Sequence, residues 1–340
     1  MEDEVICRLM IDRLRKLEKA IDEGVISEEI IESYVKKSNM LTASQNLGLN
    51  LSLYRARFDS GFDKTDPTQF GYIHDLDKIT RFRYNKDHEA VLYTSTFPSV
   101  AYLEIESGRK SETHFYLSVW SHKKSTRDFY CALNVNGNNL QDGSTVYKYY
   151  KILIDNVGDN PSKLCYLELL GELLEKQGTD YRFSSILASN LFEKHDALIT
   201  TSMKSQGREL NITFNQFASD NLLDLKYIYR CAVPSDNTTL AYKVEEIGIP
   251  HTENVEWHKW ELDFDSIDFA VKPTIKVDIE RLKTAIKTKE RITSVFLYPN
   301  VNKKPDDLHC GIVEYDGVRY RLSFRIKLMP ISNMNQKRSL

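Results

Sequence analysis

Cysteine is scarce and unpatterned in this chain. Its five thiols, Cys7, Cys131, Cys165, Cys231 and Cys310, are odd in number and far apart, which excludes a disulfide framework and CxxC metal spacing and points to reduced thiols. Long apolar runs are missing as well. None approaches the roughly 18 residues that cross a bilayer, and Met1 to Glu4 is acidic where a secretory leader is basic. A cytoplasmic protein with no membrane partner is expected. Neither charge dominates: 46 Lys and Arg against 49 Asp and Glu leave −3, too little for a global field that recruits nucleic acid. The basic run Lys283, Lys287, Lys289 and Arg291 is then best read as a solvated helix face. With only 14 Gly and 9 Pro in 340 residues, fibrous and low-complexity classes drop out too.

Common catalytic signatures are absent. There is no GxxxxGK[ST], no GxGxxG, no HExxH and no GxSxG, so phosphate-cradling loops, zinc-protease helices and hydrolase elbows find no support. His251 and His258 flank Trp257, but isolated imidazoles are usually satisfied core or surface groups. No metal is expected.

What is present is an ordinary folding composition, 41% hydrophobic and 28% charged, on a chain long enough for two domains or one elaborated one. From Asp3 to about Lys37, Val5, Leu9, Ile11, Leu14, Leu17 and Ile21 recur at helical spacing. Gly24 interrupts them, and Ser27 before Glu28, Glu29, Ile30, Ile31 and Tyr34 reads as the cap of a second helix. The resulting hairpin reads as a packing or dimerisation element, which leaves a homo-oligomer open.

Further on, strands are expected at Val91–Tyr93, His114–Trp120, Ala197–Ile199 and Leu210–Phe214, with helices over Pro98–Glu106, Ser162–Lys176 and Phe183–Glu193. Asn134 to Gly143 reads as an exposed loop. After Asn215, alternation predicts strands at Tyr227–Tyr229, Thr239–Val244 and Phe269–Val277, then a hairpin of Gly311–Tyr315 and Val318–Ile326 across Asp316-Gly317. Residues 333–340 read as a polar tail.

Arginine, tyrosine and carboxylate concentrate in mid-chain: Tyr54-Arg55-Ala56-Arg57, Arg81-Phe82-Arg83-Tyr84-Asn85, Leu92-Tyr93-Thr94-Ser95 and Ala101-Tyr102-Leu103-Glu104. A guanidinium is a fork of donors suited to pyrophosphate, an aromatic ring stacks on a flat base, and a carboxylate stabilises a cationic sugar carbon. Together these suit a dinucleotide cleaved at its glycosidic bond. Taken singly, Arg57 and Arg81 read as surface charges, Tyr93 as a core aromatic, Glu104 as a helix-surface carboxylate and Ser202 as a turn residue.

In their joint order these blocks resemble the RES domain family. Its pattern of Tyr-Arg, Arg-aromatic-Asn, Leu-Tyr plus a small residue and Ala-x-x-Glu is similar to Tyr54-Arg55, Arg83-Tyr84-Asn85, Leu92-Tyr93-Thr94 and Ala101 to Glu104, with eight residues from Asn85 to Tyr93 and eleven from Tyr93 to Glu104. A later block, Ser184 to Ala188, Asp196-Ala197-Leu198, Ser202, Gly207 and Asn211 to Phe214, resembles the family's closing helix, serine loop and Asn-x-x-Phe strand. The resemblance spans residues 46 to 216. It departs in a longer stretch between Glu104 and Ser202 and in one extra residue in the serine loop. Ser202 and Ser205 are therefore both candidates, with Ser202 preferred.

The resemblance implies an α+β fold with an ADP-ribosyltransferase-like mixed, split β core and flanking helices, here with an N-terminal helical region (1–45), a catalytic region (46–216) and a β-rich C-terminal region (217–340). It implies a toxin that consumes NAD by phosphorolysis or hydrolysis and is silenced by a cognate antitoxin. Arg55, Tyr93, Glu104 and Ser202 would be catalytic. Arg55, Arg83, Asn85, Tyr93 and Ser202 would bind NAD, and inorganic phosphate would be a co-substrate drawn to Arg81, Arg83 or Arg57. The alternatives are a protein ADP-ribosyltransferase and a non-catalytic scaffold.

Overall fold

The computed structural model describes residues 2–38, 40–48, 52–59, 61, 63–106, 108, 112–135, 137, 140, 142–176, 181–233, 243–269, 284, 288, 292–298, 309–315 and 318–331. It is an α+β protein whose chain divides into two interleaved units. The first takes Met1–Arg55, Gly71–Glu104 and Ser121–Asp224, the second Ala56–Phe70, Ile105–Trp120 and Leu225–Leu340.

Helices α1 (Glu2–Asp22) and α2 (Glu28–Lys37) open the first unit. Glu28 and Glu29 in the first turn of α2 and Lys36 and Lys37 in its last oppose the helix dipole. Ser27 stands at the N-cap, yet its side chain takes no backbone N–H; its hydroxyl bonds the Glu29 carboxylate instead and lowers that group's pKa. The buried seam of α1 is Cys7, Leu14 and Ile21, spaced by sevens, while Val5 and Leu9 stay 57% and 53% exposed. The apolar stripe expected from the sequence is thus rotated. The helix buries one narrow seam, mainly against the helix at Pro161–Glu175 and less against that at Arg182–Phe192, which leaves part of its apolar surface in water.

Strands β1 (Ala43–Leu47), β2 (Leu53–Phe58), β3 (Val91–Ser95), β4 (His114–His122) and β5 (Phe129–Asn134) follow, with α3 (Pro98–Glu106) between β3 and β4. Next come α4 (Thr145–Val157), α5 (Pro161–Glu175), α6 (Arg182–Phe192), β6 (Ala197–Thr201), β7 (Leu210–Asn215) and α7 (Gln216–Leu222). In the first unit the strands run in the order β1-β5-β6-β7-β3, followed by β2, of which Leu53–Arg55 belong to this unit and the rest to the second. Among the described residues β1 with β5, β2 with β3, β3 with β7 and β6 with β7 pair antiparallel, and β5 with β6 parallel. Strand β6 is buried along its whole length. Helices α5 and α6 cover it, and α1 packs on α5 and α2 on α6 as an outer layer.

The sequence does not predict β1, β5, α4 or α7, nor the later strands at Val255–Phe269 and Ile292–Tyr298. Helix α4 is rich in Tyr, Val and Thr, which weaken helix propensity; its start is fixed by Ser144, whose hydroxyl accepts the Tyr147 N–H at 3.1 Å. Asn160 caps α5 ahead of Pro161, and Asn215 caps α7.

The second unit holds β8 (Leu223–Ala232), β9 (Lys243–Pro250), β10 (Val255–Phe269), β11 (Ile292–Tyr298), β12 (His309–Tyr315) and β13 (Val318–Pro330), in sheet order β4-β8-β9-β10-β13-β12-β11. The expected C-terminal hairpin is present, with Tyr315 opposite Val318; Asp316 and Gly317 lie outside the described residues. The strand expected at Thr239–Val244 overlaps β9 at Lys243 and Val244, while of the one expected at Phe269–Val277 only Phe269 is described, as the last residue of β10. Residues 270–277, the basic run and the tail at 333–340 lie outside the described residues.

The core of this unit is Phe70, Tyr116, Ile228, Val255 and Trp257, bordered by Leu225 and Ile331. The Phe70, Tyr116 and Trp257 rings lie 5.4 to 6.2 Å apart. Gly248 lets β9 approach them, since a Cβ there would meet Val255 Cγ1 at 2.7 Å and Trp257 at 3.1 Å.

Candidate active site

In the first unit the C-terminal ends of β3 and β6 flank the start of β7, so that Ser95 and Thr200 both stand opposite Asn211. Helix α3 begins just after β3 and carries Glu104 to this point. Ser202, the residue after β6, donates its hydroxyl to Glu104 Oε1 at 3.0 Å, and Asn211 Nδ2 donates to the same oxygen at 2.9 Å. The Asn211 amide is oriented in turn by Ser95 Oγ, which donates to its Oδ1 at 2.6 Å. Ser202, Ser95 and Asn211 are buried and Glu104 half-buried. Both bonds fall on Oε1, and Oε2 accepts none among the described residues.

The two candidate serines have different tasks. Ser205 donates to Ser202 O at 2.8 Å and accepts the Glu209 N–H at 2.9 Å, so it builds the loop. The loop reverses through Gln206 at φ 53° and Gly207 at φ 78°, a left-handed pair that favours glycine at its second position. Ser202 keeps its hydroxyl for the carboxylate.

Arg83, Tyr84 and Asn85 lie on a tight turn closed by Phe82 N–H to Asn85 O at 3.0 Å. Asn85 is buried and its amide is fully used: Nδ2 donates to Thr80 O and Lys86 O, and Oδ1 accepts from the Tyr93 hydroxyl at 3.0 Å. That hydroxyl also accepts the Tyr84 N–H at 2.9 Å. Asn85 and the Tyr93 hydroxyl therefore shape the turn. Ion pairs hold the turn to α2, Arg81 with Glu28 at 2.6 Å and Lys86 with Glu32 at 2.9 Å, and Ser189 of α6 donates to Glu89 at 2.7 Å.

Arg83 joins the turn to the carboxylate. Burial works against its charge, but the neighbouring Tyr84, Glu104 and Tyr181 outweigh it and hold the guanidinium above its ordinary pKa. Its Nε is buried with no acceptor among the described residues, an unmet donor of the kind that binding sites retain. Burial also drives the Tyr93 phenol well up; the Tyr84 N–H and the charges of Arg83 and Arg55 pull the other way. Thus Arg55 on β2 acts electrostatically at Tyr93, and Arg83 at both Tyr93 and Glu104. The structure joins Glu104 to Ser202 by a hydrogen bond and Tyr93 to Asn85 by another, and sets Arg83 within electrostatic reach of Glu104 and both Arg83 and Arg55 within electrostatic reach of Tyr93.

The other cations are engaged elsewhere. Arg81 is tied to Glu28 and Asp87, and Arg57, in the second unit, donates to Gln69 O at 2.8 Å while burial lowers its pKa. His258 is buried on β10, and His251 lies 3.4 Å from Glu256. Among the described residues no group of three or more His, Cys, Asp or Glu could hold a metal ion, and no helix is long and apolar enough to cross a membrane.

Sequence reasoning did not assign Asn211 and Ser95 to the site. The Asn-x-x-Phe block contained the first, but only the β3–β7 register shows that it meets Ser95 and Glu104.

No protein-family model matches the chain, and no curated protein matches it. Among solved structures, the M. tuberculosis MbcT–MbcA toxin–antitoxin complex contains a chain 8% identical, with 58% of this chain and 90% of that one covered, at a TM-score of 0.32. A likeness this slight assigns neither fold nor function.

Proposed function

We propose that this protein consumes NAD by breaking the bond between nicotinamide and ribose, with water or inorganic phosphate as acceptor. The observation that carries the reading is the double anchoring of Glu104 Oε1 by Ser202 and Asn211, which presents the second carboxylate oxygen in a fixed direction. When the C1–N bond breaks, its electron pair leaves with nicotinamide, which departs neutral. Positive charge spreads over C1 and the ring oxygen of the ribose. An oriented carboxylate stabilises that charge more than it stabilises the substrate, which is the condition for lowering a barrier. An oxygen of the acceptor then bonds to C1, and a hydrolytic proton passes to solvent.

Arg83, with its unmet Nε donor, supplies the grip on the pyrophosphate, and Arg55 adds positive field behind Tyr93. Asn85 and Tyr93 act through the turn that holds Arg83. To the same proposal belong the ADP-ribosyltransferase-like character of the sheet, action as a toxin in the cytoplasm and restraint by a cognate protein.

The test is to incubate the purified chain with NAD, with and without phosphate, and identify the products by mass. Free nicotinamide with ADP-ribose means hydrolysis, and with ADP-ribose 1-phosphate, phosphorolysis. Labelled protein would instead mean ADP-ribosyl transfer. NAD recovered intact in every condition overturns the reading.

A further inference from the structure

The exposed aromatic of this site is not Tyr93. The Tyr93 hydroxyl already donates to Asn85 and accepts from Tyr84. Its ring is stacked on Tyr84, with centroids 5.6 Å apart and planes at 26°, and meets Phe82 edge-on at 5.7 Å. Its neighbours within the protein occupy it. Phe82, by contrast, is 50% exposed although it is a large apolar ring in a polar turn. On its other flank it touches Tyr181, just before α6, with centroids 5.0 Å apart and planes at 56°. The Arg83 guanidinium lies beside this pair, 6.0 Å from the Tyr181 ring centroid.

An exposed ring backed by a half-buried one, next to a half-buried cation whose Nε is an unmet donor, is a recognisable chemical pattern. Ring faces suit a flat heterocycle, and the guanidinium suits the phosphate attached to it. The turn fixes both: Phe82 N–H and Asn85 O close it, and Arg83 directly follows Phe82. We propose that Phe82, backed by Tyr181, is the stacking surface for one flat heterocycle of a dinucleotide substrate. The inference rests on the NAD reading and deepens it by naming a residue that selects for a planar base.

The test uses the full chain as wild type, Phe82→Leu and Phe82→Tyr, with NAD turnover followed as nicotinamide release and AMP and nicotinamide mononucleotide as competing probes. Phe82 is half-exposed, so Phe82→Leu should keep the wild-type melting temperature. It should raise KM for NAD about tenfold, the loss of one ring stack, with kcat within about threefold. Phe82→Tyr should restore KM. The probe whose inhibition constant rises by the same factor identifies the ring that stacks, adenine or nicotinamide. Unchanged KM in Phe82→Leu, a fall in kcat alone, or a KM shift echoed by neither probe overturns the stacking role while leaving NAD turnover standing. A wild-type chain that neither binds nor consumes NAD removes both proposals.

Discussion

A carboxylate oxygen that accepts hydrogen bonds both from Ser202, just after β6, and from Asn211 on β7 cannot rotate freely, and this fixes what each substitution at Glu104 should do. Glutamine keeps a carbonyl oxygen for Ser202 and Asn211 but removes the charge. Glu104→Gln should therefore fold with a near-wild-type melting temperature and lose about 100-fold or more of the NAD turnover, read as nicotinamide release; undiminished turnover would dismiss Glu104 from the chemistry. Asn85 makes the opposite case. Its three side-chain bonds are internal, so Asn85→Ala should cost about 2–3 kcal/mol in urea unfolding by stranding the Tyr93 hydroxyl and two carbonyls. Glu104, Ser202 and Arg83 were legible in the sequence because their residue types carry chemistry and their order resembled a known pattern. The work of Asn85 was not, since a buried amide that braces a turn and one that contacts a ligand look alike in sequence. Phe82 stands in the Arg81 to Asn85 block, but a lone aromatic in a polar stretch has no periodicity to say whether it is buried or exposed.

The site is held by the ends of elements, and two buried groups fasten those ends. Glu175, at the end of α5, is buried and accepts the Thr201 N–H at 2.9 Å, one residue before Ser202. Glu175→Ala should cost about 3 kcal/mol, as expected for stranding a buried partner, and Ser202 should lose its fixed position with it. Unfolding curves and nicotinamide release should fall together. His195, between α6 and β6, uses both ring nitrogens, with Nδ1 donating to Leu191 O at 2.9 Å and Nε2 accepting from Ser44 at 2.7 Å. Burial lowers its pKa; the Leu191 bond and Asp196 oppose this and Lys194 adds to it. An unfolded histidine titrates near about 6.5. From there downward the unfolded chain takes up a proton that the folded one resists. The stabilising contribution is whole above that pH and declines as the pH falls toward the folded value. Between about pH 7.5 and about pH 5.5 the wild type should lose more unfolding free energy than His195→Gln, and equal losses would refute this.

At this scale the sequence read well where periodicity was strong, as in α5, α6 and the C-terminal hairpin. It read poorly where a cap rather than propensity starts the helix, as Ser144 does for α4.

Across the whole molecule, the two units cannot be separated by a single cut. Phe70 and Tyr116 come from the first half of the chain, yet they are buried by Ile228, Val255 and Trp257 from the last third. A chain stopped at residue 224 would leave those rings in water and should be recovered aggregated, whereas the full chain should sediment as a discrete species; a well-behaved shortened protein would refute this. The expected boundary at 216/217 follows the linear reach of the resemblance, which carries no trace of an interleaved path. The pairing of Glu28 and Glu32 with Arg81 and Lys86 has a consequence of its own. These acids stand four apart on α2, so the helix works as a two-toothed latch on the loop that carries the cation. Any ligand, tag or neighbouring protein that pries that latch open would loosen the turn that carries Arg83, and under the NAD proposal it would weaken the hold on the phosphates from a distance.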